Sequence, residues 1–176
     1  MDIQEQLKTV IRDIPDFPKP GIIFKDITPI FKRPDLWDPI CERIVQDLGD
    51  MKIDGVAGME SRGFLFGTMI AKALNVPFIL IRKKGKLPGD TIEYSYDLEY
   101  GSATLEIHKD ALKPGDQILV HDDLLATGGT AIAASELINE LGGHVAAYSF
   151  LIELSFLEGR NSLTKFSKNI SNLVAY

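Results

Sequence analysis

The chain has 176 residues, of which 45% are hydrophobic and 25% charged, and its formal net charge is −6. This balance is typical of a single globular domain, which at this length buries about 70% of the surface of its unfolded chain without disulfides or structural metals. The single cysteine, Cys41, excludes a disulfide framework within the chain and favours a reducing compartment, so we expect a cytoplasmic protein. The acidic charge opposes broad attraction to nucleic acid, and no apolar run approaches the ~20 residues that span a bilayer, so neither is an expected partner.

The first half of the chain predicts helices and strands in alternation. Apolar residues recur at helical spacing near the N-terminus and again after Pro34, and prolines between these segments interrupt any helix. Two short apolar runs then flank a third helical segment, which is the pattern of a right-handed parallel crossover. We predict helices over residues 3–11, 36–48 and 61–75, the last capped by Ser61, strands over 55–60 and 77–81, and an ordered Pro-rich loop over 14–31.

The second half adds an antiparallel hairpin before the alternation resumes. Segments 91–100 and 102–108 alternate apolar and polar residues around Gly101, which predicts two paired strands. The tail after Glu158 is polar with weak strand character, and we expect it to be loose. The pattern predicts one α/β domain with a mostly parallel sheet, completed by a strand over 117–123, a helix over 130–143 and a strand over 144–154.

The strongest local motif is ILVHDDLLATGGT, over residues 118–130, in which a buried strand runs into two carboxylates and then into a Gly-rich helix start. Glycines and threonines at a helix N-terminus let N–H and hydroxyl groups converge on a phosphate, and the helix dipole favours the anion. Asp122 and Asp123 follow the strand, where parallel sheets bind ligands and where carboxylates can accept ribose hydroxyls. The motif predicts a site for a phosphorylated sugar; the alternative is a turn that the aspartates cap and the glycines bend.

Two clusters of cations stand out in this acidic chain. Arg82, Lys83, Lys84 and Lys86 lie in one Gly/Pro-rich loop, which indicates either a local polyanion site or a solvated basic loop. Arg62 opens a predicted helix, where it either forms a second anion site or a surface ion pair. The P-loop, dinucleotide, zinc-protease and serine-hydrolase motifs are all absent from the sequence, and the three histidines are scattered.

The motif at residues 118–130 and five further segments resemble the adenine-specific members of the type I phosphoribosyltransferase family. In chain order they are IPDFPKPGIIFKDITP, ESRGFLFG, LIRKKGKLPG, YDLEYG and LEIHKDALKPGD, and they cover nearly the whole chain. The resemblance implies one domain over residues 1–176 with a central, mostly parallel sheet flanked by helices. It also implies an N-terminal hood over 1–34, which recognises the base, and a flexible antiparallel hairpin lid over 82–110. The implied reaction is purine salvage, in which the 5-phosphoribosyl group of phosphoribosyl pyrophosphate (PRPP) moves to N9 of adenine and gives AMP and pyrophosphate.

The resemblance also implies roles for residues in this sequence. Asp122 and Asp123 hold the ribose hydroxyls and stabilise the positive charge that develops on the sugar. Glu99 acts as acid or base near purine N7, and Tyr100 closes over the reaction centre and excludes water. The implied binding residues are Ala126, Thr127, Gly128, Gly129 and Thr130 for the 5′-phosphate, and Ser61, Arg62, Arg82, Lys83 and Lys86 for pyrophosphate. For adenine they are Ile23 and Phe24, which sandwich the base, and the backbone near Lys25.

Magnesium is the implied cofactor, held mostly by PRPP and with no direct protein ligand, and the implied assembly is a homodimer. A cis peptide is implied between Glu60 and Ser61. Two positions depart from the family pattern, namely Lys25, where arginine is common, and His121, where valine or isoleucine is usual. Two other interpretations stay open: a PRPP-sensing regulator without catalysis, and a phosphoribosyltransferase for hypoxanthine, guanine or another base.

Overall fold

The structure is a computed structural model, and it describes residues 2–97 and 102–176. The predicted helices and strands are present, with bounds that differ by a few residues from the predicted ones. The helices are α1 (Ile3–Val10), α2 (Trp37–Leu48), α3 (Gly63–Leu74), α4 (Gly129–Glu140) and α5 (Gly159–Leu163). The strands are β1 (Arg12–Pro15), β2 (Ile23–Asp26), β3 (Gly55–Met59), β4 (Phe78–Lys83), β5 (Thr91–Asp97), β6 (Ser102–His108), β7 (Gln117–Leu125), β8 (His144–Glu153) and β9 (Ile170–Ala175).

Seven of the strands form the central sheet, in the order β5-β6-β4-β3-β7-β8-β9. The five strands from β4 to β9 in this order are parallel, whereas β6 runs antiparallel to both β4 and β5. The predicted hairpin is therefore an extension of the main sheet at one edge. After β3 the chain turns to one side for β4 and later to the other side for β7, and ligands bind at such a switch in strand order.

The N-terminal segment contains a strand pair where the sequence predicts a loop. β1 and β2 form a separate antiparallel sheet in which Ile14 is paired with Phe24. Arg12 Nη2 lies 2.5 Å from Asp26 Oδ2 across this sheet and fixes its open end. Each strand has only four residues, and three prolines stand within or beside the connection, so the period-two pattern is too short to be seen in the sequence.

Two further expectations are wrong. The tail after Glu158 is ordered, because α5 and β9 complete the domain and β9 adds a parallel edge strand next to β8. Only Leu173 and Val174 are buried in β9, which explains its weak signal in the sequence. The N-cap of α3 is Arg62 rather than Ser61, and no side chain caps this helix.

Apolar side chains cover both faces of the sheet. The first layer joins the N-terminal segment, which includes α1, with α2 and α3. The second joins α4 with the hairpin strands. Helix α3 lies unusually close to the sheet because a Cβ atom at Gly67 would be 2.7 Å from the Phe78 ring. None of the helices described above has the length and apolar character that a bilayer-spanning segment requires.

Candidate active site

The predicted site residues gather at the carboxyl ends of β3 and β7, where the strand order switches. The two strands are parallel neighbours, with Gly58 opposite His121. Glu60, Ser61 and Arg62 follow β3, while the aspartates lie in β7 just beyond the end of its pairing with β3. The peptide bond between Glu60 and Ser61 is cis, as the resemblance implies. Two motifs that are 60 residues apart in the sequence are thus adjacent in the fold.

All five residues of the predicted phosphate cradle line one cavity of about 250 Å³. Gly128 is the N-cap of α4 and has a φ of 88°, a conformation that favours glycine. The loop therefore turns sharply into a helix of 12 residues, whose free N–H groups and dipole favour an anion. The complete lining consists of Met59, Tyr96, Asp122, Leu124, Leu125, Ala126, Thr127, Gly128, Gly129, Thr130, Ala131 and Phe150.

The cradle loop is supported from behind by the start of α5. A Cβ atom at Gly128 would lie 3.0 Å from the Gly159 carbonyl oxygen, and one at Gly159 would overlap the Ala126 carbonyl. Arg160 anchors α5 to the sheet, since its Nη2 lies 2.5 Å from Glu153 Oε2 and its Nη1 donates to the Ile170 carbonyl at 2.7 Å. Sequence reasoning missed this support, because Gly159 and the cradle lie in different motifs.

The two aspartates differ in their surroundings. Asp123 is 3% exposed, and its Oδ2 lies 2.8 Å from Arg62 Nε. The contact lacks hydrogen-bond geometry, so Oδ2 is a buried acceptor without a hydrogen bond from any described residue. Asp122 lines the cavity, and its Oδ1 accepts the Asp123 backbone N–H at 2.9 Å. Asp122 thus offers a carboxylate at the cavity, where a sugar hydroxyl could donate to it, while Asp123 lies buried directly behind it.

Burial raises the pKa of both aspartates. For Asp122 the rise is large, and the neighbouring charge of Asp123 adds to it. For Asp123 the positive charge of Arg62 opposes the effect of burial, and the pKa is still raised. Two adjacent carboxylates are therefore hard to keep ionised until a ligand supplies positive charge or hydroxyl donors. A sugar that develops positive charge at C1′ meets this requirement.

The base-recognition prediction is partly wrong. The Phe24 ring contacts the site, since the Arg62 guanidinium lies 5.0 Å from its centroid and Phe17 packs edge-on at 5.2 Å. Successive residues of a strand point to opposite faces, so the Ile23 side chain lies on the other side of β2. There it is 57% exposed and lines a separate apolar cavity with Tyr176. Ile23 and Phe24 therefore cannot sandwich one base with their side chains.

The Lys25 side chain also points away from the Phe24 face. Its Nζ lies 2.7 Å from Asp13 Oδ1 and 3.6 Å from the centroid of the Tyr176 ring. These contacts fasten the hood to the last strand of the sheet. The substitution of lysine for arginine at this position therefore concerns the hood attachment, and any contact of residue 25 with a base on the Phe24 face comes from its backbone.

The basic loop after β4 is held by two carboxylates that sequence reasoning missed. Glu60 accepts hydrogen bonds from Arg82 Nε at 3.0 Å and Nη2 at 3.2 Å, and from the Lys83 backbone N–H at 3.0 Å. Arg82 Nη1 donates to the Lys86 carbonyl. The Arg82 guanidinium lowers the pKa of Glu60, which stays ionised. These hydrogen bonds use three of the five N–H donors of Arg82, so a contact with pyrophosphate does not require the guanidinium to leave these partners.

Glu106 of β6 is the second of these carboxylates. It is buried, and its Oε1 accepts the backbone N–H groups of Lys86 and Leu87, each at 2.7 Å. Lys84 pairs with Glu93 of the hairpin at 2.7 Å. Lys83 and Lys86 are exposed and form no ion pair with any residue in the described part of the chain. Their ammonium groups are therefore the available cations of this loop.

His121 lies in the core behind the aspartates. Burial lowers its pKa to about 4, so the ring is neutral at neutral pH, and Nδ1 lies 2.8 Å from the Ser149 hydroxyl. The histidine therefore replaces an aliphatic residue as part of the core. Among residues 2–97 and 102–176, no three His, Cys, Asp or Glu side chains cluster closely enough to hold a metal ion. The predicted catalytic residues Glu99 and Tyr100 lie outside the described residues.

Replacing Gly63 by alanine is expected to lower kcat about 10-fold, the effect of a displacement below 1 Å in an aligned site. A Cβ atom at Gly63 would lie 2.8 Å from the His121 carbonyl and 3.0 Å from Asp122 Oδ1, so α3 and β7 must separate and draw Arg62 away from Asp123. Gly67→Ala is the matched control, because its Cβ meets Phe78 instead. Steady-state kinetics on both variants test this, and equal loss of kcat in the two would contradict it.

Comparison with known proteins identifies the family. Residues 33–168 match the phosphoribosyl transferase domain family. The chain is 51% identical over 174 residues to adenine phosphoribosyltransferase of Cytophaga hutchinsonii, which covers 99% of this chain and 96% of the relative. It is 56% identical over 158 residues to the enzyme of Halothermothrix orenii, covering 90% and 93% respectively. The chain belongs to the adenine phosphoribosyltransferases.

Solved structures of adenine phosphoribosyltransferases share the fold. The enzyme of Thermoanaerobacter pseudethanolicus superposes with a TM-score of 0.94 at 47% identity, over 98% of this chain and 99% of that one. The Saccharomyces cerevisiae enzyme, in complex with adenine and an imino-altritol bisphosphate, gives a TM-score of 0.89 at 40% identity, with coverage of 97% and 98%. The predictions of a type I phosphoribosyltransferase fold and of an adenine phosphoribosyltransferase, a pentosyl-transferring enzyme, are confirmed.

Proposed function

We propose that this adenine phosphoribosyltransferase binds adenine against Phe24, ribose at Asp122 and Asp123, and the 5′-phosphate in the cradle of residues 126–130. The observation that carries the proposal is the position of Arg62, which contacts both the Phe24 ring and Asp123. In this proposal the base, the ribose and the 5′-phosphate of AMP lie in that order along Phe24, the two aspartates and the cradle. The Trypanosoma brucei relative, solved with AMP, pyrophosphate and ribose-5-phosphate, supports the same set of ligands.

The reaction breaks the bond between C1′ and a pyrophosphate oxygen, and the bonding electron pair leaves with pyrophosphate. Adenine N9 forms the new bond to C1′, and the base loses one proton. Positive charge grows on the sugar while the first bond breaks, and the carboxylates of Asp122 and Asp123 lie in place to stabilise it. Their preorganised negative charge is the main contribution of the described residues to catalysis.

The leaving pyrophosphate is bound by Ser61, Arg62, Lys83 and Lys86 in this proposal. Arg62 follows β3, and the exposed ammonium groups of Lys83 and Lys86 are available without breaking an ion pair to a described residue. Arg82 contributes by holding the loop to Glu60, next to Ser61. The arrangement makes the basic cluster a site for the leaving group within an acidic protein.

Magnesium is proposed to enter with PRPP. The described residues fit this mode of binding, because they include a buried carboxylate oxygen without a hydrogen-bond partner, Asp123 Oδ2, whose negative charge favours a cation nearby. When bound, magnesium neutralises part of the pyrophosphate charge. Asp122 and Asp123 would lie near the ion without binding it directly, and their negative charge favours a substrate that carries a cation.

Product analysis tests the substrate assignment. The purified protein is incubated with PRPP, magnesium and equal amounts of adenine, hypoxanthine, guanine and xanthine, and the nucleotides are separated. AMP as the sole product is expected. Formation of IMP, GMP or XMP would support the transfer chemistry but contradict the assignment of adenine as the base. If a folded protein that binds PRPP forms no nucleotide, the result would favour a PRPP-sensing regulator.

Replacing Glu99 by glutamine is expected to lower kcat about 100-fold, which is within the range of general acid–base catalysis, while the KM for PRPP changes little. The reason is that the glutamine side chain keeps the size of glutamate but cannot exchange the proton of the purine. Steady-state kinetics at several pH values measure the effects on kcat and on the KM for PRPP separately. Equal losses in kcat and in PRPP affinity would make Glu99 a binding residue instead.

A homodimer and a cytoplasmic location complete the proposal. The first comes from the family resemblance, and the second from the lone Cys41. Sedimentation of the purified protein tests the first, with a mass of twice 19.5 kDa expected. Fractionation of the source cells tests the second.

A further inference from the structure

Tyr96 of β5 extends from the hairpin to the helix that begins at the phosphate cradle. Its hydroxyl lies 3.2 Å from the Thr130 hydroxyl, although the residues are 34 positions apart. A Cβ atom at Gly129 would lie 3.5 Å from the Tyr96 ring, so the ring is within van der Waals reach of the start of α4. Tyr96 also lines the cavity that contains Asp122 and the cradle. The hairpin therefore supplies one wall of the phosphate site.

The chemistry of the two hydroxyls matches a phosphate ligand. A phosphate monoester presents acceptor oxygens to the protein, so the groups around it must donate. The Thr130 hydroxyl has one proton and two lone pairs. When the Tyr96 hydroxyl donates to Thr130 Oγ1, the threonine proton remains available for an anion in the cavity that both residues line. Hydrogen bonds in such a chain also polarise one another and become stronger.

We propose that Tyr96 is a positioning residue for the 5′-phosphate, which orients the Thr130 hydroxyl as a donor and closes the cradle on the side of the hairpin. The inference rests on the proposed function, because it takes the 5′-phosphate as the anion in the cradle. Tyr96 then contributes to the binding of phosphate esters such as PRPP and AMP. It contributes nothing to adenosine, which has the same base and sugar but no phosphate.

The same contact links the hairpin to the contents of the cradle. β6 is paired with β4, with Arg82 opposite Glu106, and Tyr96 connects β5 to α4. A phosphate that accepts from Thr130 strengthens the link from Thr130 to Tyr96. Phosphate alone is therefore expected to slow hydrogen exchange of the backbone amides of β5, which lie just before the predicted catalytic residue Glu99 in the sequence.

The test compares AMP with adenosine on the wild type and on Tyr96→Phe. Titration calorimetry should show AMP bound about 3- to 10-fold more weakly by the variant, the range for loss of one hydrogen bond, and adenosine bound equally by both. The KM for PRPP should rise by the same factor while kcat and the KM for adenine stay unchanged. Inorganic phosphate at saturating concentration should protect β5 in the wild type and less so in Tyr96→Phe.

Two controls separate this role from general packing. Tyr94 lies on the same face of β5 and packs against the same apolar layer, but its hydroxyl bonds to no described residue, so Tyr94→Phe should leave AMP affinity unchanged. Thr130→Val should lose AMP affinity, and adding Tyr96→Phe to it should cause no further loss. Equal effects of Tyr94→Phe and Tyr96→Phe, additive losses, or a matching loss for adenosine would overturn the proposal.

The same experiment distinguishes a failure of the proposed function from a failure of the role of Tyr96. A wild type that binds AMP no more tightly than adenosine would contradict the phosphate cradle itself. A wild type that prefers AMP, together with an unaltered Tyr96→Phe variant, would overturn the role of Tyr96 alone.

Discussion

Replacing Asp122 by asparagine is expected to lower kcat/KM for PRPP by about 1,000-fold, the upper end of the range for removing one preorganised electrostatic group. Asp122 lines the cavity beside the phosphate cradle, and its carboxylate faces the position proposed for the ribose. Asparagine keeps the shape and one acceptor oxygen but removes the charge that stabilises the developing positive charge. Steady-state kinetics at neutral pH measure the loss, and Asp50→Asn, an exposed site away from the cavity, is the control.

The same substitution should make the ligand-free protein more stable at neutral pH. The pKa of Asp122 in the folded protein is raised above its ordinary value by burial and by Asp123, so the folded state binds its proton more tightly than the unfolded state does. The free energy of unfolding therefore falls as pH rises through the window between the unfolded and the folded pKa. Asparagine cannot ionise and avoids this loss.

Urea denaturation of both proteins across the pH range checks the sign. The free energies of unfolding of the wild type and the variant should be equal at low pH, where Asp122 is protonated in both the folded and the unfolded state. As pH rises, the variant should become the more stable of the two. The PRPP affinity of the wild type should rise over the same pH range in which its stability falls, since the ionised form of Asp122 accepts the ribose hydroxyl. A variant that is less stable than the wild type at neutral pH would show that Asp122 ionises in the free protein without cost.

Replacing Gly128 by alanine is expected to lower kcat/KM for PRPP by several hundred-fold, because the cradle loses the alignment of its donors, which is worth about 100- to 1,000-fold. Gly128 has a φ of 88°, where a side chain costs about 1–2 kcal/mol, and its Cβ would lie 3.0 Å from the Gly159 carbonyl. The neighbour is backbone and cannot rotate away. The loop must therefore move toward the cavity, where it displaces the phosphate.

Gly115 provides a closely matched control for this prediction. Its φ is 89°, but a Cβ atom there would meet nothing within 4 Å. Gly115→Ala should thus lose the stability that a positive φ costs and keep its PRPP kinetics, whereas Gly128→Ala should lose both. Thermal denaturation and initial-rate measurements on the two variants distinguish the effects. Unchanged PRPP kinetics in Gly128→Ala would mean that the loop does not bind phosphate.

The elements that hold the site were predictable from the sequence because their signals are local. β7 begins as a buried apolar run that leads into two aspartates, and α4 has two glycines at its start, so both strand and helix follow from neighbouring residues. Such signals also placed Arg62 at the opening of α3. The predicted adjacency of these segments needed only the rule that parallel strands bind ligands at their carboxyl ends.

The parts that could not be predicted depend on contacts between distant residues. Glu60 and Glu106 hold the basic loop from two different strands, and Gly159 touches the cradle from a segment with no pattern of its own. The resemblance implies that Ile23 contacts the base, but the alternation of β2, a strand that the sequence does not predict, decides which side chain faces the site. Each of these facts is set by the packing of the chain rather than by a sequence period.

The carboxylates around the basic loop also bear on which anions the protein ignores. The four cations Arg82, Lys83, Lys84 and Lys86 are accompanied by three carboxylates, those of Glu60, Glu93 and Glu106. Beyond a Debye length of about 8 Å, the loop therefore acts as a single positive charge rather than as four. A long polyanion approaching from solution meets a protein with a net charge of −6, which opposes its approach. Under the proposed function, a compact pyrophosphate group is expected to bind only when it reaches Lys83 and Lys86 at contact distance, so the loop would select anions by range as well as by charge.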